Sequence, residues 1–235
     1  MKNPGSSDIE LRHMLKETPS IFIANVLPVE RYFSRPIAAV IVRLIYNTKI
    51  TPNQVTVISF LIGILAAIFF LHGTPTSFLI GGILVQLSGI FDCADGMLAR
   101  ARNVTSYYGA YLDLFFDRML DFIWFVSIVV GYYMYSGDDI LLVGGLFGAG
   151  VFFLMETLYY LMRNYKGLKR TGETAELRGI LIFAIMILGI LNRLDIGIYA
   201  LMILPPIAVL VIMIIFLSWW KSEDNKDVET MDSHD

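Results

Sequence analysis

Four aspartates lie in segments apolar enough to belong in a membrane, and this conflict limits the fold more than any other feature of the chain. Asp92 and Asp95 fall near the end of one apolar run, and Asp113 and Asp117 near the start of the next. On insertion scales a carboxylate at the centre of a membrane helix costs about 2.5–3.5 kcal/mol, so four without compensation would cost about 10–14 kcal/mol. Bound cations are the direct compensation. Residues three or four apart share a helix face, so each pair points one way. A turn near Asn103 to Ser106 then gives an antiparallel hairpin, with Asp92 level with Asp117 and Asp95 level with Asp113. The four carboxylates converge at one depth, with enough charge for two divalent cations. Oxygen-only ligation suits Mg²⁺ or Mn²⁺, and two such ions about 3.5–4 Å apart can clamp a pyrophosphate for in-line displacement.

The same stretch spells D-x2-D-G-x2-A-R-x8-G-x3-D-x3-D at Asp92, Asp95, Gly96, Ala99, Arg100, Gly109, Asp113 and Asp117. At all of these positions it resembles the signature of the CDP-alcohol phosphotransferase family. The resemblance implies a CDP-linked alcohol as donor, attack at the phosphorus on the alcohol side, release of CMP, and a homodimer. It makes Asp92, Asp95, Asp113 and Asp117 the metal ligands, with Asp117 also the general base on the acceptor hydroxyl. Gly96, Ala99, Arg100 and Gly109 become the nucleotide surface, the two glycines because an absent side chain lets phosphates approach closely, and Arg100 either by pairing with the phosphates or by orienting a carboxylate. The Thr51-Pro52-Asn53 sequence is similar to a segment ahead of the first span in this family, which brings Asn53 towards the nucleotide phosphates. KITPNQVT and LDLFFDR resemble members that handle inositol phosphates.

Of 235 residues, 56% are hydrophobic, and the mean hydropathy is +0.65. That composition predicts an all-α integral membrane protein. Six spans are expected, at about 55–71, 77–102, 106–135, 140–163, 179–191 and 198–220. Residues 1–50 are expected to form a cytoplasmic arm and an amphipathic helix on the membrane surface. In that helix Arg31, Arg35 and Arg43 alternate with Ile37, Val40, Ile41, Leu44 and Ile45. The transferase domain then covers 51–220, and 221–235, with six acidic and two basic residues, reads as a disordered tail. Sixteen of the 18 Lys and Arg residues fall before the first span, at Arg100 and Arg102, between Arg163 and Arg178, or in the tail. By the positive-inside rule both termini and the carboxylates face the cytoplasm. No basic footprint for nucleic acid is present.

The acceptor is less constrained. Lys166, Lys169, Arg170 and Arg178 form a basic cluster that suits a polyol phosphate, although cytoplasmic loops are basic in any case. Glu156 lies two turns inside Arg163, where acceptor, metal and Arg118 are all within reach. Arg118 and Asp121, three apart, are expected to neutralise each other. The donor is expected to be CDP-diacylglycerol or a similar membrane lipid, with a soluble CDP-polyol such as CDP-inositol as the alternative. Gly144 with Gly148 and Gly145 with Ala149 are small-xxx-small pairs for close packing, inside one protomer or between two. Cys93, the sole cysteine, reads as a small apolar filler. The rival function is a divalent-cation transporter using the same carboxylates, although no second acidic cluster marks an exit path.

Overall fold

The computed structural model describes residues 30–165 and 173–232, and among these every regular element is a helix. A π-helical turn, Glu30–Ser34, leads into α1 (Arg35–Ile45). Then come α2 (Pro52–Leu71), α3 (Pro75–Ala101), α4 (Tyr107–Ser136), α5 (Asp139–Tyr165), α6 (Glu173–Ile190) and α7 (Leu194–Asp232). Among the described residues four segments are long and apolar enough to cross a membrane: Pro52–Leu71, Pro75–Ala101, Asp139–Thr157 and Leu194–Ile214, with Arg178–Ile190 a shorter apolar helix.

The helix starts follow from capping chemistry. Thr51 and Thr74 each accept from the backbone N–H three residues on, while Gln54 and Ser77 accept from the cap N–H in return; Pro52 and Pro75 fill the first turn. These boxes start the first two spans a turn or less earlier than hydropathy suggests. α3 ends where Asn103 takes a left-handed φ of 55°, with Val104 N donating to Ala99 O and Asn103 N to Arg100 O. This is a Schellman closure built on Asn instead of Gly. Ser106 then caps α4 by accepting from Gly109 N at 3.0 Å. The turn expected near Asn103 to Ser106 therefore has a complete hydrogen-bond account.

α4 lies along the whole of α2. At one end the Asn53 side chain sits beside Gly109; at the other a Cβ on Gly131 would fall 1.8 Å from Phe70 O. Trp124 joins the two midway by donating to Gly63 O at 2.8 Å. α6 lies along α3, with Arg178 reaching Asp92 at one end and Gly189 against Phe78 O at the other. Phe70, Phe78, Val85, Leu120, Trp124 and Ile198 belong to the main core.

α1 begins at Arg35, because Pro36 suits its first turn, and its apolar residues divide between two faces. Ala38 and Val42 are buried against Val55, Ile90, Ala94 and Leu98, whereas Ile37, Val40 and Leu44 are exposed. Gly144 and Gly148 pack against Met202 and Leu201 of α7, so these small residues serve an intramolecular crossing. α7 continues to Asp232, so the acidic stretch expected as a disordered tail is helical to that point; neither Gly nor Pro follows Pro206 to break it, and extending a formed helix is cheap. Residues 1–29, within the expected arm, lie outside the described residues.

Candidate metal centre and active site

α3 and α4 carry the four motif aspartates to the same end of the bundle. A carboxylate oxygen from each of Asp92, Asp95 and Asp113 lies within 4.8 Å of the others. Asp95 is 5% exposed, and its Oδ2, like Asp113 Oδ1, is buried without a hydrogen-bond partner. Buried polar atoms are nearly always satisfied, so two orphaned oxygens in a cluster of three carboxylates fit the ligand set of a hard divalent cation.

Asp117, one turn beyond Asp113, meets a cation of the chain itself. Its Oδ1 lies 2.7 Å from Arg178 Nη1, which is also 3.5 Å from Asp92 Oδ2. One nitrogen thus bridges Asp92 and Asp117, which places this pair level, as their spacing predicts. Arg178 Nε donates to both oxygens of Asp121, at 3.1 and 3.2 Å, and the guanidinium lies 5.9 Å from the centre of the Trp124 ring. Arg178 was expected beside the site, in the basic cluster before the fifth span. Instead it belongs to α6, which begins at Glu173, and reaches into the carboxylates.

This geometry revises the Arg118–Asp121 pairing. Those two groups are 3.8 Å apart, but Glu156 is the tighter partner of Arg118 and Arg178 that of Asp121. Of the partners expected for Glu156, Arg118 is the one found. Asp121 escaped the sequence reading as a site residue because Arg118 explained it locally. The available signal was the Asp113, Asp117, Asp121 series, every fourth residue on one helix face.

Two pairs among the residues expected at the nucleotide surface lie close together. A Cβ on Gly109 would lie 3.2 Å from Asn53 Oδ1 and 3.1 Å from Ser106 Oγ, and one on Gly96 would lie 3.3 Å from Arg100 Nη1. Ala99, half-buried, follows Gly96 by three residues on α3. Lys166, Lys169 and Arg170 lie outside the described residues.

Polar clasps hold the motif helix. Ser59 Oγ donates to Ser88 O and Ser88 Oγ to Ser59 O, both at 2.9 Å and buried, one turn before Asp92. Arg102, at the end of α3, donates to the carbonyls of Ile45, Tyr46, Thr48 and Ile50. It satisfies the open C-terminus of α1 and fixes the link into α2.

The model of the CDP-alcohol phosphatidyltransferase family matches residues 49–220. The chain belongs to that family. Its CDP-alcohol phosphatidyltransferase segment therefore contains every residue of the site, and the family together with the apolar helices makes the chain a multi-pass integral membrane protein. It is 44% identical over 123 residues to the bifunctional IPC transferase and DIPP synthase of Thermococcus kodakarensis, covering 50% of this chain and 27% of that one. It is 35% identical over 183 residues to the protein of the same name from Aquifex aeolicus, covering 74% and 40%. The archaetidylinositol phosphate synthase of Pyrococcus horikoshii is 32% identical over 162 residues, covering 66% of this chain and 77% of the relative. The chain thus spans well under half the length of the two bifunctional relatives, and its likeness lies among inositol-phosphate-type members.

Proposed function

We propose that this chain transfers the substituted phosphate of a CDP-alcohol to the hydroxyl of a polyol or polyol phosphate, releasing CMP. The observation that carries the reading is the Asp92, Asp95 and Asp113 cluster with its two unpartnered oxygens, within a matched family segment. These three residues, joined by Asp117, would hold one or two Mg²⁺ or Mn²⁺ ions. Such ions, when bound, supply charge stabilisation to the phosphates. Gly96 and Gly109 admit the donor phosphates, Ala99 extends the small surface, and Asn53 and Arg100 offer donors at its edge. Asp117 accepts the proton of the attacking hydroxyl. Arg178, with Lys166 and Arg170, suits a phosphate on the acceptor, and Glu156 orders Arg118 behind it.

The donor we favour is lipid-linked, in phospholipid synthesis, and the name of the Pyrococcus relative supports an inositol phosphate acceptor. A CDP-polyol donor such as CDP-inositol is the second reading, motivated by KITPNQVT and LDLFFDR. We also place six helices across the membrane. α4 keeps pace with α2 from Asn53 to Phe70, and α6 with α3 from Asp92 back to Phe78, so each covers the thickness its neighbour covers. The active site and both termini are placed at the cytoplasmic face on charge grounds, and the assembly is proposed as a homodimer.

The test is CMP release from lipid and polyol CDP-alcohols in detergent with Mg²⁺ or Mn²⁺, mixed acceptors, and product mass spectrometry. One phosphodiester product, lost in Asp113→Asn with the fold intact, is expected. Metal uptake into vesicles without CMP release would replace the reading with a transporter.

A further inference from the structure

We infer that Asp121 is a positioning residue, seating Arg178 at the edge of the carboxylate cluster with its outer guanidinium nitrogens presented to an anionic group of the acceptor. The inference rests on the phosphotransfer reading above and adds to it the device by which a phosphorylated acceptor is selected. Among the described residues Arg178 has three carboxylate partners, and they are not equivalent. Asp92 and Asp117 belong to the metal motif and meet only Nη1, at 3.5 and 2.7 Å. Asp121 lies outside the motif, is 2% exposed, and engages Nε through both oxygens. Once Asp92 and Asp117 serve a cation, Asp121 is the partner Arg178 retains.

The mode of attachment decides what the retained arginine can do. The guanidinium is a rigid planar fork. Anchoring it at Nε fixes the plane and leaves both terminal nitrogens for the bidentate contact that a phosphate prefers. Trp124 supports this plane from one side, and is itself held by its N–H bond to Gly63 O. A lysine in place of Arg178, or a neutral residue in place of Asp121, would lack one half of this arrangement. The pair also persists on energetic grounds, since breaking a buried ion pair leaves an uncompensated charge, which is strongly destabilising. The alternative, that Arg178 merely neutralises Asp121, predicts no selective effect on any ligand.

The experiment measures binding by calorimetry in detergent, with Mg²⁺, inorganic phosphate, inositol 1-phosphate and CDP as separate probes, for wild type and Asp121→Asn. Expected are weakening of both phosphate probes by about 10-fold, in the range found when a supporting hydrogen-bond partner is lost, and an affinity for CDP within about twofold of wild type, with Mg²⁺ binding retained. Unchanged phosphate affinity, or equal weakening of phosphate and CDP, overturns the inference. Should Asp121→Asn fail to fold, Asp121→Glu keeps the charge while moving it by one methylene; selective loss of phosphate affinity is again expected, and no loss overturns it. Normal CMP release with phosphate binding indifferent to residue 121 would sink the positioning role and spare the transferase reading. Phosphate binding that depends on residue 121, with no CMP released from any CDP-alcohol, would do the reverse.

Discussion

Asp117 is where binding and chemistry should separate. It is the motif carboxylate that the structure pairs with Arg178 instead of with the cluster of three. Asp117→Asn keeps the size of the side chain and removes its basicity. Such a change should slow CMP release at saturating acceptor by about 10²-fold or more, while CDP and at least one Mg²⁺ still bind. Near-normal single-turnover release would remove it from the base role; loss of all metal binding would make it chiefly a ligand. The clustering of Asp92, Asp95 and Asp113 was readable from sequence because spacing on two adjacent helices is local information. The identity of their cation partner was not. Arg178 is 86 positions from Asp92 and 57 from Asp121, and no periodicity links a residue of α6 to the α3–α4 hairpin. Arg118 supplied a nearer explanation of Asp121 that geometry then displaced.

Among the helices, hydropathy located four of the expected spans and could not choose their neighbours. Gly144 and Gly148 were visible as a packing motif, yet a stripe of small residues is the same whether it meets its own chain or a second copy. The structure gives the answer through Leu201: a Cβ on Gly148 would sit 2.3 Å from its carbonyl oxygen. Gly148→Leu should therefore destabilise the α5–α7 crossing by about 1–3 kcal/mol, as overpacking does. Gly150→Ala, two residues on with nothing within 4 Å of its Cβ, should not destabilise, and by helix propensity should stabilise by up to about 1 kcal/mol. Unfolding of both variants in detergent checks the contrast, and equal effects would mean that α5 packs through another face. Arg102 was counted as a topogenic charge and proves to be a clasp, since carbonyls left open at the end of α1 leave no mark in the sequence. Arg102→Gln should speed amide exchange over 47–50 while exchange in the middle of α2 is unaltered. Protection of that link at wild-type levels would show that the clasp is dispensable.

The arrangement of the bundle gives the crossing number a basis beyond apolar length. α4 carries Asp113, Asp117, Arg118 and Asp121, and the apolar part of α6 is short, so neither is among the four described helices that qualify as spans by length and composition alone. Both nevertheless run beside helices that do. Gly109 lies at the Asn53 end of α2 and Gly131 at the Phe70 end, whereas Gly189 lies against Phe78 near the start of α3. If α2 and α3 cross, α4 and α6 cross with them, and the turns alternate between faces. The turn at Val104 then shares the face of the carboxylates, and those at Ser136 and Arg193 share the other. All three positions are exposed, so single cysteines placed there in a Cys93→Ser background will report their side. The proposed cytoplasmic placement of that turn rests on the basic residues near Val104. In intact cells a membrane-impermeant maleimide should label Ser136→Cys and Arg193→Cys, and should reach Val104→Cys only after permeabilisation. Labelling of Val104→Cys alone would invert the orientation while keeping the crossings. Opposite outcomes at Ser136→Cys and Arg193→Cys would break the count of six, because two helices, α5 and α6, separate those turns and an even number of crossings must return the chain to the same side.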